Sequence, residues 1–336
     1  MNALTVELHT ALVARFEDRW DIGADADGFR MVPRRRTLAG RRRSCPSPAQ
    51  LLDGLRRALA GVGLRVGDAL LPQRWNRDTD LTISAVQALD PWLKDRSPFV
   101  WREGFLAQPV VRFTGSRAVD GRLEDGYLTS FANVSYVQRV GSADDHVRLL
   151  DGWLSALSAI GIHAGRLTIH GSLRAWQRPP VSGITLFIDC DGRGLGDAVL
   201  LWNTTDRRFM ATDIGSGLER LRWLLGARTW SEAAFGDLGS RHDLALLDAT
   251  RTAVLLIMAG IKPGPRGVGS ALRSVAQDID TTIAATGLGR IVREHHRYWN
   301  CLGLSGTPWP HTATRLEAEV LRRTRPSSGY PLRQVA

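Results

Sequence analysis

Asp213-Ile-Gly215-Ser-Gly217-Leu-Glu-Arg220 sets an acid, two glycines and an arginine at the junction of two kinds of segment. A β-type run, Arg207 to Asp213, leads in. Leu218, Leu221, Leu224 and Leu225 lead out with the spacing of one buried helix face. Glycine lets a backbone turn tightly and come close to a ligand, and a helix N-terminus offers unpaired N–H groups to an anion. Arg220, one turn into that helix, is placed to reach a phosphate. Arg112 lies within the apolar run Pro109-Val-Val-Arg-Phe-Thr-Gly115. An unpaired charge there is costly, so it either snorkels to an edge or meets an anion. The pattern points to anion chemistry, and its plainer alternative is a strand–glycine–helix corner with a surface arginine.

These residues need a sheet to hold them. Pro109–Gly115 and Tyr127–Val137 flank a polar loop and read as a hairpin. Four further β-type runs follow with no helix between them: 166–171, 183–189, 197–203 and 207–213. Such a series predicts an antiparallel sheet, of about six or seven strands in all, rather than a doubly wound parallel one. Asp80–Ala85 also alternates as a strand should. Helices are expected after Ser47-Pro48, with Leu51, Leu52, Leu55 and Leu59 on one face, and over Ser142–Ile160. From Asp243 to Ile261 and beyond the periodicity is helical, broken by a Gly/Pro turn at 262–269. The fold class is therefore α+β. A basic extension over 1–46 holds a possible amphipathic helix (Leu4, Leu8, Leu12, Phe16) and the triplets Arg34–Arg36 and Arg41–Arg43, read as a solvated arm or an RNA-backbone contact. A sheet-bearing region spans 47–240, a helical region 241–303, and a loosely packed basic tail 304–336 with a short helix near Glu317–Arg323.

Among 336 residues the 44 basic ones outnumber the 34 acidic ones, a net charge of +10 that favours an anionic substrate or polyanionic partner. Lys94 and Lys262 are the only lysines, so nearly all the charge is arginine, which suits bidentate phosphate contacts. No apolar run approaches the roughly 18 residues of a membrane span, which excludes a helical membrane protein. The N-terminal segment lacks a secretory-type apolar stretch, making a cytoplasmic location the default expectation. Cys45, Cys190 and Cys301 are odd in number and far apart, as reduced thiols would be. His295, His296 and Cys301 lack the second ligand pair of a structural zinc site.

Read whole, Asp-Ile-Gly-Ser-Gly-Leu-Glu-Arg-Leu resembles the third signature motif of class II aminoacyl-tRNA synthetases, in the alanyl-tRNA synthetase form Asp-Thr-Gly-Met-Gly-Leu-Glu-Arg. The Arg112 hairpin is similar to the second motif of that class. Gly-Asp-Ala-Val-Leu-Leu-Trp-Asn at 196–203 is similar to the family's Gly-Asp-x-x-x-Glu-Ile-Trp-Asn. The helix at 48, Leu-Leu-Pro at 70–72 and the Gly/Pro turn stand in the family's order, so the resemblance covers 48 to about 303. Three departures stand out. Leu200 replaces the acid before Trp-Asn, the segment from Trp202 to Asp213 is far shorter, and Pro265 and Ser274 replace polar groups of the turn. The family's editing and C-terminal domains are absent from the sequence.

The resemblance implies a class II synthetase-type antiparallel sheet flanked by helices, followed by a small helical domain. It also implies ATP and Mg²⁺ as cofactors and a small amino acid as substrate. Arg112 would take the α-phosphate and Arg220 the γ-phosphate as catalytic groups. Phe131 would stack on adenine, Gly215 and Gly217 would admit the adenosine, and Trp202, Asn203 and Asp213 would bind the amino acid. The Mg²⁺ ligands carry no motif. The function so implied is formation of an aminoacyl adenylate and its transfer to an acceptor other than ordinary tRNA(Ala): a carrier protein, a small metabolite or a dedicated RNA. The alternatives are a minimal alanyl-type synthetase that charges tRNA, and an inactive paralogue that binds RNA or a regulator.

Overall fold

Leu4, Leu8, Leu12 and Phe16 recur at helical spacing, and all four are buried on α1 (Ala3–Phe16). The computed structural model describes residues 3–24, 28–36, 45–74, 78–119 and 123–322. After α1 come the hairpin β1 (Trp20–Ala24) and β2 (Phe29–Pro33), then α2 (Pro48–Gly61). The described part of this extension thus supplies the expected helix and, beyond the solvated arm or RNA-backbone contact read from the sequence, two strands of the sheet. The strands are short and carry charge, which hid them. Arg34, exposed, pairs with Asp21 at 3.1 Å. The triplet Arg41–Arg43 lies outside the described residues.

Ser47 accepts from the Gln50 amide at 3.2 Å while the Gln50 side chain accepts from the Ser47 amide at 2.9 Å, a reciprocal cap that fixes where α2 begins. Ser47→Ala should cost about 1 kcal/mol in urea denaturation; an unchanged midpoint would mean that the packing of the leucine face alone fixes the helix start. Asp80–Ala85 is not a strand. Leu81 makes one isolated bridge to Gln73, and Gln87 turns back on the Ile83 amide to start a 3₁₀ turn over Ala85–Leu89 that runs into α3 (Asp90–Leu93). That stretch is satisfied piecemeal, Thr82 by the Pro72 carbonyl and the Val111 amide, Ile83 and Ala85 by the side chains of Gln87 and Asn133, rather than along one partner strand.

The remaining strands are β3 (Gly104–Val111), β4 (Ser130–Val140), β5 (Leu167–Gly171), β6 (Trp176–Arg178), β7 (Val181–Cys190), β8 (Arg193–Asn203) and β9 (Met210–Gly217), with α4 (Ala143–Ala159) after β4. All nine strands form one antiparallel sheet in the order β1-β2-β5-β7-β8-β9-β4-β3, with β6 on the flank of β7. One face carries Val134, Tyr136, Ile214, Ala198 and Leu200 into the main core beneath α1, α2 and α4. The other carries Leu106, Val137, Leu201 and Ala211 into a smaller cluster capped by the 3₁₀ turn and α3. A straight row crosses this second face: Ser135 opposite Gly215, Gly215 opposite Asp197, Asp197 opposite Phe187 and Phe187 opposite His170.

β9 continues into α5 (Leu218–Leu225), followed by α6 (Trp230–Phe235), α7 (Leu244–Met258), α8 (Gly267–Gln277), α9 (Thr281–Thr286), α10 (Leu288–Cys301) and α11 (Trp309–Leu321). The expected short helix near 317 is thus a full one. Pro308 and Pro310, which look like breakers, stand at its cap and first turn, and Thr312, Ala313, Leu316 and Val320 bury its inner face. Arg323 and the rest of the tail lie outside the described residues. The helical region joins the sheet without a break in the core, which runs from Leu4 to Val320. Its polar tie is Arg251 of α7, whose Nη1 lies 3.0 Å from Glu219 Oε1 on α5, both side chains 2% exposed. Tyr298 of α10 stands 4.0 Å from the guanidinium and donates to the same Oε1. No helix among the described residues is long and apolar enough to cross a membrane.

Candidate active site

The acid–glycine–arginine stretch is straighter than its composition suggests. β9 stays extended through Gly217, which has φ −86°, and α5 starts at Leu218. Gly215 and its neighbour across the strands, Gly196, serve close approach rather than a turn. A Cβ on Gly196 would run into the carbonyl oxygen of Gly215, and one on Gly215 into the Ser135 hydroxyl and the Val134 carbonyl. Backbone therefore forms the floor of a cavity here.

Arg112 and Arg220 both line that cavity, together with Phe131, Gly215, Gly217, Asp197 and Glu219. Arg112 follows the last residue of β3. Its amide donates to Thr129 O at 2.7 Å, its Nε to Ile83 O, and its guanidinium lies 5.1 Å from the Phe131 ring centroid. Arg220 Nε donates to Gly126 O at 3.1 Å, with its guanidinium 5.4 Å from the Tyr127 ring. Each arginine is aimed by one carbonyl and one ring. Among the described residues neither has an ion-pair partner within 4 Å, which leaves their remaining N–H groups to meet an anion.

The acids behave as a coupled set. Burial lowers the Arg112 pKa, the Asp197 and Asp213 charges raise it, and Arg220 lowers it further. Burial raises the Asp197 carboxyl against the pull of Arg112 and Arg220. Asp213 moves furthest. Burial, and then the charge of Asp197, push it up to about 7, while the hydroxyls of Ser135 and Ser84 and the charge of Arg112 pull the other way. Its Oδ1 is buried with no hydrogen-bond partner. Asp213 does not line the cavity itself; it lies two residues back from Gly215 on the same face of β9.

Five of the sequence-derived residues thus meet in one place: Arg112, Phe131, Gly215, Gly217 and Arg220. Trp202 and Asn203 do not join them. Strand alternation turns Trp202 to the opposite face, into the main core. Asn203 ends β8, where its amide donates to Leu93 O at 2.8 Å and its oxygen accepts from Thr205 and Asp206. Sequence reasoning missed Asp197 and Glu219. Asp197 stands at the head of an apolar run and Glu219 beside the buried stripe of α5, but only the tertiary structure brings them to the cavity, Asp197 through its register opposite Gly215 and Glu219 through the packing of α5. A second depression, lined by Ile83, Phe113, Gly267 and Val268, shares Arg112 and Thr114 with the cavity, so the Gly/Pro turn reaches the Arg112 wall.

Among the described residues no three His, Cys, Asp or Glu side chains gather as a metal site. An ion held here would take Asp197 and oxygens of its substrate, the usual arrangement for Mg²⁺. A scan against protein-family models and a search of curated proteins each found no match to this chain.

Proposed function

We propose that the protein activates a small amino acid with ATP as an aminoacyl adenylate, on a class II synthetase-like core, and passes the acyl group to an acceptor other than ordinary tRNA(Ala). The observation that carries the reading is that Arg112 and Arg220 line one cavity together with the Phe131 ring and the glycines Gly196, Gly215 and Gly217.

Activation needs little acid–base machinery. The amino-acid carboxylate attacks the α-phosphorus, the α-phosphate–pyrophosphate bond breaks, and pyrophosphate leaves. A protein accelerates this by holding two anions together and neutralising the charge that develops. Arg112 would hold the α-phosphate and Arg220 the γ-phosphate, while Phe131 supplies a flat apolar wall for the base. Asp213 has a buried oxygen without a partner, which fits a ligand ammonium. Mg²⁺, when bound, would screen the phosphates, with Asp197 the carboxylate that borders them.

The departures at the Gly/Pro turn support a non-standard acceptor. Pro265 offers neither a side-chain donor nor a backbone N–H for reading a base edge. The exposed arginines Arg34–Arg36 favour the minimal synthetase as the second reading, since they can hold an RNA backbone without choosing a sequence. The test is ATP–pyrophosphate exchange screened across amino acids without RNA, run beside aminoacylation of total tRNA. Exchange with a small amino acid and little stable charging is expected. Efficient charging of tRNA(Ala) would promote the minimal synthetase, and no exchange with any amino acid would promote the inactive paralogue.

A further inference from the structure

Glu219 is 1% exposed, and every donor that reaches it goes to one oxygen. Arg251 Nη1 at 3.0 Å, the Tyr298 hydroxyl and the Ala132 amide at 3.4 Å all point to Oε1. Oε2 is buried with no hydrogen-bond partner, yet Glu219 lines the Arg112–Arg220 cavity. Its position within the cavity follows from Gly217. A Cβ there would lie 3.7 Å from the Phe131 ring and 3.9 Å from Glu219 Oε2, so the aromatic wall and the orphan oxygen border the same space. An ion-paired carboxylate with one oxygen unmet is an acceptor kept for something absent from the chain itself.

We infer that Glu219 Oε2 is a binding atom for the nucleoside half of the cavity's ligand, accepting a hydrogen bond from an N–H or O–H donor, with Arg251 and Tyr298 as positioning residues. The inference rests on the nucleotide reading above. Phosphate oxygens carry no proton at neutral pH and would be repelled, so the group beside Glu219 is the one that lies against Phe131. Two donors on a nucleoside share this chemistry: the exocyclic amine of the base and a ribose hydroxyl. The geometry also dictates what a glutamine would do. Three donors pin an oxygen at the Oε1 position, which leaves the amide NH₂ at the Oε2 position. Glu219→Gln therefore turns the cavity's acceptor into a donor.

The experiment is titration calorimetry of the full chain with ATP, inosine triphosphate, purine riboside triphosphate, 2′-deoxy-ATP and 3′-deoxy-ATP, for wild type and Glu219→Gln. Wild type is expected to bind ATP roughly tenfold to a hundredfold more tightly than the analogue lacking the donor, the worth of one hydrogen bond to a charged acceptor. If the donor is the base amine, the purine analogue weakens, and Glu219→Gln comes to prefer inosine triphosphate, whose base carries an acceptor in place of the amine. If it is a ribose hydroxyl, one deoxy analogue weakens instead, and Glu219→Gln erases that difference. Tyr298→Phe removes one neutral donor to Oε1 and is expected to shrink the discrimination severalfold in a chain that keeps Arg251 paired, which covers the case that Glu219→Gln does not fold. ATP and all analogues within twofold of one another in wild type would overturn the inference while leaving the nucleotide reading in place. No binding of any nucleotide would overturn both.

Discussion

Asp213→Asn should make the protein more stable at pH 8 and nearly unable to hold the amino acid proposed as its substrate. Burial keeps the Asp213 carboxyl protonated to about pH 7 in the folded chain, against an ordinary value of 3.8. Between those values the unfolded chain has lost a proton that the folded chain retains. Folding stability therefore falls as pH rises from about 4 to about 7 and then levels. Three pKa units and a little more, at 1.36 kcal/mol each, amount to about 4 kcal/mol at pH 8. Asparagine keeps the shape, its amide can meet the Ser84 and Ser135 hydroxyls, and it has no charge to desolvate. Urea denaturation at pH 5 and pH 8 checks this, because the wild type should lose stability over that interval and the variant should lose much less. The same carboxylate, once ionised, would attract a ligand ammonium in a desolvated setting. Its loss should cost roughly 2–5 kcal/mol of amino-acid affinity and leave ATP affinity nearly intact. Wild-type amino-acid binding should also weaken up to about tenfold per pH unit below 7, with proton release on binding. If ATP affinity fell instead, Asp213 would belong to the nucleotide or its metal ion.

Arg112→Ala and Arg220→Ala should each lower exchange by roughly 10²–10³, the usual loss when one preorganised charged donor is removed from a developing charge. Both side chains are only partly buried and each is steered by a single carbonyl, so circular dichroism and melting should change little. On the proposed reading, in which both arginines hold one triphosphate, the two substitutions should not multiply. Lysine at 112 should restore little of the loss. It keeps the charge but has no planar fork to donate to Ile83 O and to a phosphate at once. Exchange at the wild-type rate in both alanine variants would remove the catalytic assignment.

Parts of this were legible in the chain itself. Ser47-Pro48-x-Gln50 ahead of a leucine face specified α2, and Ser142 with Asp145 specified the start of α4, because capping is local chemistry. The hairpin β3–β4 and the strands β5, β7, β8 and β9 followed from apolar runs, the last four without helices between them, while Arg112 followed from charge in an apolar run and Arg220 from its place one turn into a helix. What failed was non-local. Asp80–Ala85 alternates like a strand, but no neighbouring strand pairs along it. β2 joins the sheet by pairing with β5 and carries β1 on its outer edge, which no short-range pattern announces. Trp202 and Asn203 are adjacent in sequence, and period-2 geometry forbids adjacent strand residues from serving one face. Asp197 reached the site only because β8 pairs in the register that sets it opposite Gly215.

That pairing has a consequence for how the chain can drift. Gly196 and Gly215 offer no side chain to any ligand, yet neither can accept even a methyl group without pushing strands apart. In a saturation library selected for activity, both positions should be as bare of substitutions as Arg112 and Arg220. A tolerance map alone would thus overstate the number of chemical groups in the cavity. Soluble yield separates the two kinds: alanine at 196 or 215 should lose protein and activity together, whereas alanine at 112 or 220 should lose activity alone. The cavity is held in sequence space from beneath, by the spacing of two backbones, as firmly as by the side chains that face it.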